Sequence, residues 1–374
     1  MKTLIKYEFL KILRKKSTLI VMAASLLITA FFFGLPVLQF QTYNQDGVLQ
    51  GLAGIQYEKE QYTEISVPLT NEYVTKTIRE VQELFEDPEN VGYDGNEQFL
   101  IEDAYWNGIA PRESLLDLIA GNYADPNVSA GYSALPDLDV SDGTDFYQAR
   151  QDKIEKILND SSKELSEAEK DYWRNLNSKV EEPFQYGYYE GWEVIISAFE
   201  LLMFAVLAVC IVIAPVFSGE YQAGTDAVLL SGKYGKTKLT TAKILAALFF
   251  GVLAFTLHVL LAFGLPLAAF GTDGWNLPLQ INGTTVPYPL TFLEGTLINL
   301  GVIYLVLLAM IGVTLFLSAR MKSPYLVPNF GSYLSYQFGP VVLDAFAVRT
   351  VLYAVLALIL LPLAGRGFRR HQAA

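Results

Sequence analysis

An all-α, polytopic helical membrane bundle, with a mainly helical extracytoplasmic domain inserted after the first span, is the fold class this sequence predicts. Three observations carry it. Of 374 residues, 52% are hydrophobic and only 18% charged, against roughly 25% charged in an average soluble domain. Five apolar runs are clear spans, each near or above the ~20 residues that cross a ~30 Å hydrocarbon core at ~1.5 Å per residue. The charges are also segregated: residues 39–190 hold 31 of the 39 acidic and 11 of the 27 basic side chains, so the net charge of −12 hides an acidic polar block joined to a basic, apolar remainder.

The elements follow in chain order. Residues 1–16 place Leu4, Ile5, Phe9, Ile12 and Leu13 on one helical face and Lys2, Lys6, Lys11 and Arg14 largely on another, the pattern of an amphipathic helix lying in the inner membrane interface. Residues 17–38 are the first span. A cleaved signal peptide is the competing reading, but the run exceeds the usual ~7–15-residue apolar core and lacks a convincing small-residue cleavage site at its end. In the acidic domain, 39–190, Val74, Ile78, Val81, Leu84 and Phe85 recur at helical spacing until Asp87 and Pro88. Ser166 with Glu169 forms a capping box ahead of Tyr172, Trp173 and Leu176, residues 151–182 have the composition of solvated helices, and Asn, Asp, Gly and Pro between 121 and 143 mark an irregular connection. Further spans are predicted at 194–217, 244–270, 297–317 and 345–363, with loops at 218–243 and 271–293 and a tail at 364–374.

Hydrophobicity cannot orient spans, but Lys and Arg in short flanking loops can. Residues 1–17 carry six such side chains, 218–243 four, 319–323 two and 365–374 three, whereas 271–293 carries none. This predicts a cell-membrane, multi-pass protein with both termini and the 218–243 loop in the cytoplasm, and with 39–190 and 271–293 outside. A cytoplasmic tail requires one more crossing within 323–344, which Pro324, Pro328, Gly331, Gly339 and Pro340 interrupt. Irregular backbone at membrane depth must be buried in protein or face water, so a short or re-entrant sixth crossing is expected. A five-span chain with an external tail is the alternative.

Most chemistry is excluded. Cys210 is the only cysteine and His258 and His371 the only histidines, so there is no intrachain disulfide and no structural zinc set. The strongly acidic polar domain argues against a nucleic-acid partner. Gly235-Lys236-Thr237 mimics the end of a phosphate-binding GxxxxGK[ST] loop, but Leu230 stands where the first glycine belongs and no strand precedes it. Asp137, Asp139, Asp142 and Asp145 lack calcium-loop spacing, since Asp142 occupies the glycine position and Gln148 the glutamate position. With no HExxH or GxSxG, no catalytic residue, metal site or enzymatic activity is expected in this chain. Glu200 and His258 are the unusual intramembrane residues. At ~1.5 Å per residue, Glu200 lies about 12 Å below the outer surface and His258 about 22 Å above the inner one, so their depths match. Either they share an interhelical hydrogen bond or they form an ionisable site on a pathway, with Glu200 facing the bundle interior or a dimer seam.

The most informative segment reads Phe217-Ser218-Gly219-Glu220-Tyr221-Gln222-Ala223-Gly224-Thr225-Asp226, then Leu229-Leu230-Ser231, then Tyr234 to Lys238 ahead of Lys243. It resembles the first cytoplasmic loop of the type-two ABC exporter permeases, where a Glu, a Gly-Thr pair, a Leu-Leu-Ser stretch, a basic cluster and a Lys opening the next span recur in that order. The resemblance extends to the 1–16 helix, the large outer insertion and the tail Gly367-Phe368-Arg369-Arg370-His371-Gln372, about the membrane half of the chain. It implies a coupling helix that docks on a separately encoded ABC ATPase, with Glu220, Gly224, Thr225, Lys233, Lys236, Lys238 and Lys243 as the coupling residues. Glu220 and Lys233 to Lys238 would then offer a solvent-facing surface of both charge signs. It further implies a second permease subunit in a homo- or heterodimer, membrane lipid as surroundings, ATP and Mg on the ATPase, and no cofactor in this chain. The family's fifth span is clear, whereas 323–344 here is shortened. The expected function is therefore the permease subunit of an ATP-driven exporter. The alternative is a non-transporting, membrane-anchored receptor that binds a partner through its acidic domain.

Overall fold

A computed structural model of the chain describes residues 1–63, 65–95, 97–140, 145–321 and 345–370. The crossing expected at 323–344 lies outside the described residues. The fold is mostly helical, and among the described residues five helices are long and apolar enough to cross a membrane: Lys16–Gln39, Phe199–Ala223, Gly235–Phe270, Phe292–Ser318 and Thr350–Arg370.

The chain opens with α1 (Lys2–Leu13), which breaks at Arg14 and Lys15 before α2 (Lys16–Gln39) begins. Phe9 of α1 packs against Phe249 and Phe250, with ring centroids 6.3 and 6.1 Å apart. These two rings belong to α13 (Thr240–Phe270), the central post on which α1, α2 and the later spans lean. Next comes the polar insertion. Its first strands, β1 (Gln41–Asn44) and β2 (Gly47–Gln50), form an antiparallel hairpin pairing Gln41 with Gln50 and Asn44 with Gly47. Then follow α3 (Gly51–Tyr62), α4 (Asn71–Glu86) and a second hairpin of β3 (Val91–Asp94) and β4 (Glu97–Leu100). The insertion continues with α5 (Glu102–Gly108), α6 (Glu113–Tyr123), α7 (Phe146–Leu158) and α8 (Glu167–Asn177). The expected helices are present. Thr70 caps α4 by accepting from Tyr73 N at 3.1 Å, and Val74, Ile78 and Val81 are fully buried on its apolar face. Ser166 and Glu169 form the capping box of α8. The hairpins are additions to an otherwise helical picture.

The insertion closes on the 271–293 loop through Arg150 of α7, which is completely buried. Its Nε donates to Thr284 O at 2.6 Å, one terminal nitrogen donates to Asn177 Oδ1 at 2.5 Å, and the guanidinium lies 5.4 Å from the Phe184 ring centroid. Trp192 Nε1 donates to Thr272 O at 3.1 Å and Lys59 pairs with Asp273 at 2.5 Å, so the two segments form one body.

The second span departs from its expected start. α9 (Glu190–Ser197) is a separate helix, followed by a 3-10 turn at Phe199–Leu202, then α10 (Met203–Ile213) and α11 (Pro215–Ala223). Pro215 has no N–H to continue the helical ladder. Ser318, at the end of α14 (Phe292–Ser318), fills the break: its Oγ donates to Ala214 O at 2.5 Å and accepts from Phe217 N and Ser218 N at 3.0 and 3.1 Å. After α11 come the short α12 (Asp226–Ser231) and a single π-helical turn, Gly235–Leu239, leading into α13. Finally α15 (Ala345–Arg370) packs along α14. Its Phe368, fully buried, lies over Phe217 and Tyr221 at 4.6 and 5.8 Å.

Candidate functional site

The residues singled out around the 218–243 segment meet at one end of the bundle, where α1, α11 and the start of α13 converge. Glu220 stands three residues before the end of α11 and is only 5% exposed. Its Oε1 accepts from Lys11 of α1, and from Lys243 of α13 at 2.7 Å. Lys243, 1% exposed, also donates to Glu8 Oε2 of α1 at 2.8 Å. The second carboxylate oxygen of Glu220 accepts from Thr225 Oγ1 at 2.6 Å. Two carboxylates and two ammonium groups thus join three helices whose charged members are up to 235 residues apart. Buried charges persist only where partners and hydrogen bonds offset desolvation, and here each has at least one partner.

Gly224 and Thr225 complete the clamp by ending α11. Gly224 adopts the left-handed conformation, φ 64°, which costs least for glycine. Thr225 N donates to Glu220 O at 3.0 Å and Gly224 N to Tyr221 O at 3.3 Å, the paired bonds of a Schellman cap. The expectation that Glu220 is a solvent-facing docking residue is therefore corrected: Glu220 and Lys243 are internal and join helices to one another. The reason is tertiary, because α1 folds back over the segment and covers them.

Lys233, Lys236 and Lys238 remain exposed. Lys233 and Lys238 flank the Tyr234 ring at 5.6 and 4.5 Å, and Tyr234 is itself 46% exposed. The turn that carries them depends on Gly235: a Cβ there would stand 1.8 Å from Leu229 O, so the two backbones touch. This protruding basic and aromatic turn is fixed at its base by the clamp, since α12 and the turn fill the short chain between Thr225 and Thr240.

Glu200 and His258 do not pair. His258 is fully buried; its Nδ1 faces Ala254 O at 2.8 Å and its Nε2 faces Ser25 Oγ at 2.9 Å. A carbonyl can only accept, so Nδ1 carries the proton, while Nε2 shares a hydrogen bond with the Ser25 hydroxyl of α2, which also reaches Met22 O at 3.1 Å. His258 ties the first span to the third through Ser25, and the expected hydrogen bond to Glu200 is not made. Glu200 is exposed and lies in the 3-10 turn, second residue of the apolar Phe199–Ala223 stretch. The expected depth of Glu200, about 12 Å, counts from a membrane entry near Trp192 at ~1.5 Å per residue. Because α9 is a separate helix, Glu200 instead belongs at a span end, where a carboxylate can reach the interface at low cost.

Sequence reasoning missed an acidic and aromatic cluster between α3 and α9. Burial and the charge of Glu193 push Glu58 up to about 7, and burial with Glu193 and Glu58 pushes Glu190 up to about 8. Burial also raises Glu193. Tyr62, Tyr186, Tyr188 and Tyr189 surround them, with Tyr62 and Tyr186 stacked at 5.8 Å. Among the described residues, Glu58 Oε2 and the Tyr188 hydroxyl have no hydrogen-bond partner. Glu190 and Glu193, three residues apart, lie next to a run of four residues containing three tyrosines, which was the available signal. Between pH ~4.5 and ~8 the folded chain binds protons at Glu58 and Glu190 that the unfolded chain has released, so stability falls as pH rises through that window. The melting temperature of the purified chain should be higher at pH 5.5 than at pH 8, and the difference should shrink in Glu58→Gln/Glu190→Gln. An unchanged difference in that variant would place the dependence elsewhere.

Of the acidic loop, Asp142 lies outside the described residues. Asp145 caps α7, accepting from Tyr147 N and Gln148 N at 3.0 and 3.1 Å. Among the described residues no group of three His, Cys, Asp or Glu side chains could hold a metal ion. No protein-family model, curated protein or solved structure matches the chain.

Proposed function

We propose that this chain is the transmembrane permease subunit of an ATP-driven exporter, paired with a second permease subunit and with a separate ABC ATPase that binds ATP and Mg. The clamp is the observation that favours this reading. Glu220 links the end of the second span to α1 and to the start of the third, directly beside the exposed turn of Lys233, Tyr234, Lys236 and Lys238. A push on that turn would therefore move three helices together instead of bending a loop. Pro215 and Ser318 supply a break just before α11 about which the clamped end can tilt. In this reading the basic turn and both termini are cytoplasmic, the 39–190 insertion is external, and the work of the chain is conformational. Lys236→Glu/Lys238→Glu reverses the exposed charge without touching the clamp. Affinity purification from the native membrane should recover the ATPase with the unaltered chain and at least about tenfold less with the variant, the effect of ~1.4 kcal/mol. Equal recovery would oppose the docking surface.

A further inference from the structure

A cavity of about 290 Å³ opens beside the clamp, between α1, α11 and the first turn of α13. Its lining combines the apolar Ile12, Val212, Pro215 and Val216 with the charged Lys11, Lys15, Lys243, Glu8 and Glu220. Lys11 and Lys243 are committed to the glutamates. Lys15 is half-buried, reaches over Gly219 with Nζ 4.0 Å from where a Cβ would stand, and has no carboxylate within ion-pair distance among the described residues. Three ammonium groups face two carboxylates, so one positive charge is left over, and it sits on Lys15.

The cavity lies where three spans end: Lys15 immediately precedes the first, Pro215 to Glu220 form the last turns of the second, and Lys243 stands near the start of the third. Span ends sit at headgroup depth. We infer that this cavity binds the phosphate of an anionic phospholipid headgroup through Lys15, with the lipid's glycerol end against the apolar lining residues. A phosphate there completes the charge balance of the clamp and fixes α1 against the bundle. Burial, then Lys11 and behind it Lys243, hold the Lys15 ammonium below its ordinary value against the opposing pull of Glu220 and Glu8, a net cost that an adjacent anion offsets. The lining of the cavity favours a lipid over a free anion, because its apolar residues have nothing to offer phosphate. The site is made by the spans and α1 alone and needs no ATPase.

The test is lipid binding to the full chain in detergent by native mass spectrometry, with phosphatidylglycerol, phosphatidylcholine and inorganic phosphate as probes. Lys15→Gln should weaken phosphatidylglycerol binding on the order of tenfold, while Lys16→Gln, the same charge change at an exposed neighbour, should change it less than about twofold. Gly219→Leu keeps every charge and fills the cavity, and should reproduce the Lys15→Gln loss with the melting temperature retained. Equal effects of Lys15→Gln and Lys16→Gln would reduce binding to general surface charge and overturn the site. Equal affinity for phosphatidylcholine, or displacement of phosphatidylglycerol by low-millimolar phosphate, would overturn the lipid assignment.

Discussion

Lys243→Met should be among the most damaging single substitutions in the membrane half of the chain. Lys243 is almost wholly buried and contacts both Glu220 and Glu8. Removing one member of a buried charge pair costs about 3–5 kcal/mol, because the partner is left desolvated. The low end applies, since Lys11 and Thr225 still hold Glu220. Replacing both sides is different: Lys243→Met with Glu220→Leu removes the more deeply buried of the two carboxylates that Lys243 holds, leaves Lys11 free to turn to the more exposed Glu8, and should be less destabilised than Lys243→Met alone, a coupling of about 1–3 kcal/mol. Hydrogen exchange locates the damage. In the single variant, amides of α1 should lose protection while those of α14 and α15 keep theirs. Additive losses in the double variant, or an undisturbed α1, would mean that the clamp contributes no net attachment.

The second large effect lies at the opposite end of the molecule. Arg150→Ala removes a fully buried guanidinium that reaches Thr284 O and Asn177 Oδ1 and sits against Phe184. It leaves a cavity and two unpaired acceptors, a combination worth about 3–5 kcal/mol. Burial pushes Arg150 down only to about 10, so it is charged at neutral pH and its loss is also the loss of a cation near Glu182, 3.8 Å away. Residues 279–290 should exchange and be cleaved faster in Arg150→Ala, with the spans unaffected. Arg150→Lys should recover part of the loss, because one ammonium can serve one of the two acceptors. Full stability in Arg150→Ala would show that the 271–293 loop is held by the Trp192 and Lys59 contacts instead.

The spans were legible because crossing a membrane is a one-dimensional property: length and apolarity suffice, and the five long helices fall where the apolar runs lie. Their ends were less so. Trp192, Val194, Ile195 and Ile196 extend the apolar signal of the second span backwards, yet they form a separate helix, and that shift of entry point removed the match in depth between Glu200 and His258. The charged clamp was half visible. Glu220 and Lys243 stood out by position, but nothing local says that α1 returns to cover them, and Glu8 gave no signal at all. Long-range pairing turned Glu220 and Lys243 from an expected docking surface into an internal joint, and left Lys233, Lys236 and Lys238 between them exposed. Asp94-Gly95, with Gly95 at φ 62°, carried a hairpin signal that the search for helices overlooked. Arg150 was illegible, since one arginine in an acidic, polar helix looks like surface until its partners arrive from Asn177 and Thr284.

The central claim is that the Lys233 to Lys238 turn meets an ATPase on the side of the membrane opposite the polar insertion. A photo-crosslinking amino acid placed at Lys236, and in a second sample at Trp275, tests it in the native membrane; both positions are exposed. The account expects a covalent adduct with a nucleotide-hydrolysing protein from position 236 and none from position 275. An ATPase adduct from 275, or none from 236 while the chain remains intact in the membrane, would contradict it.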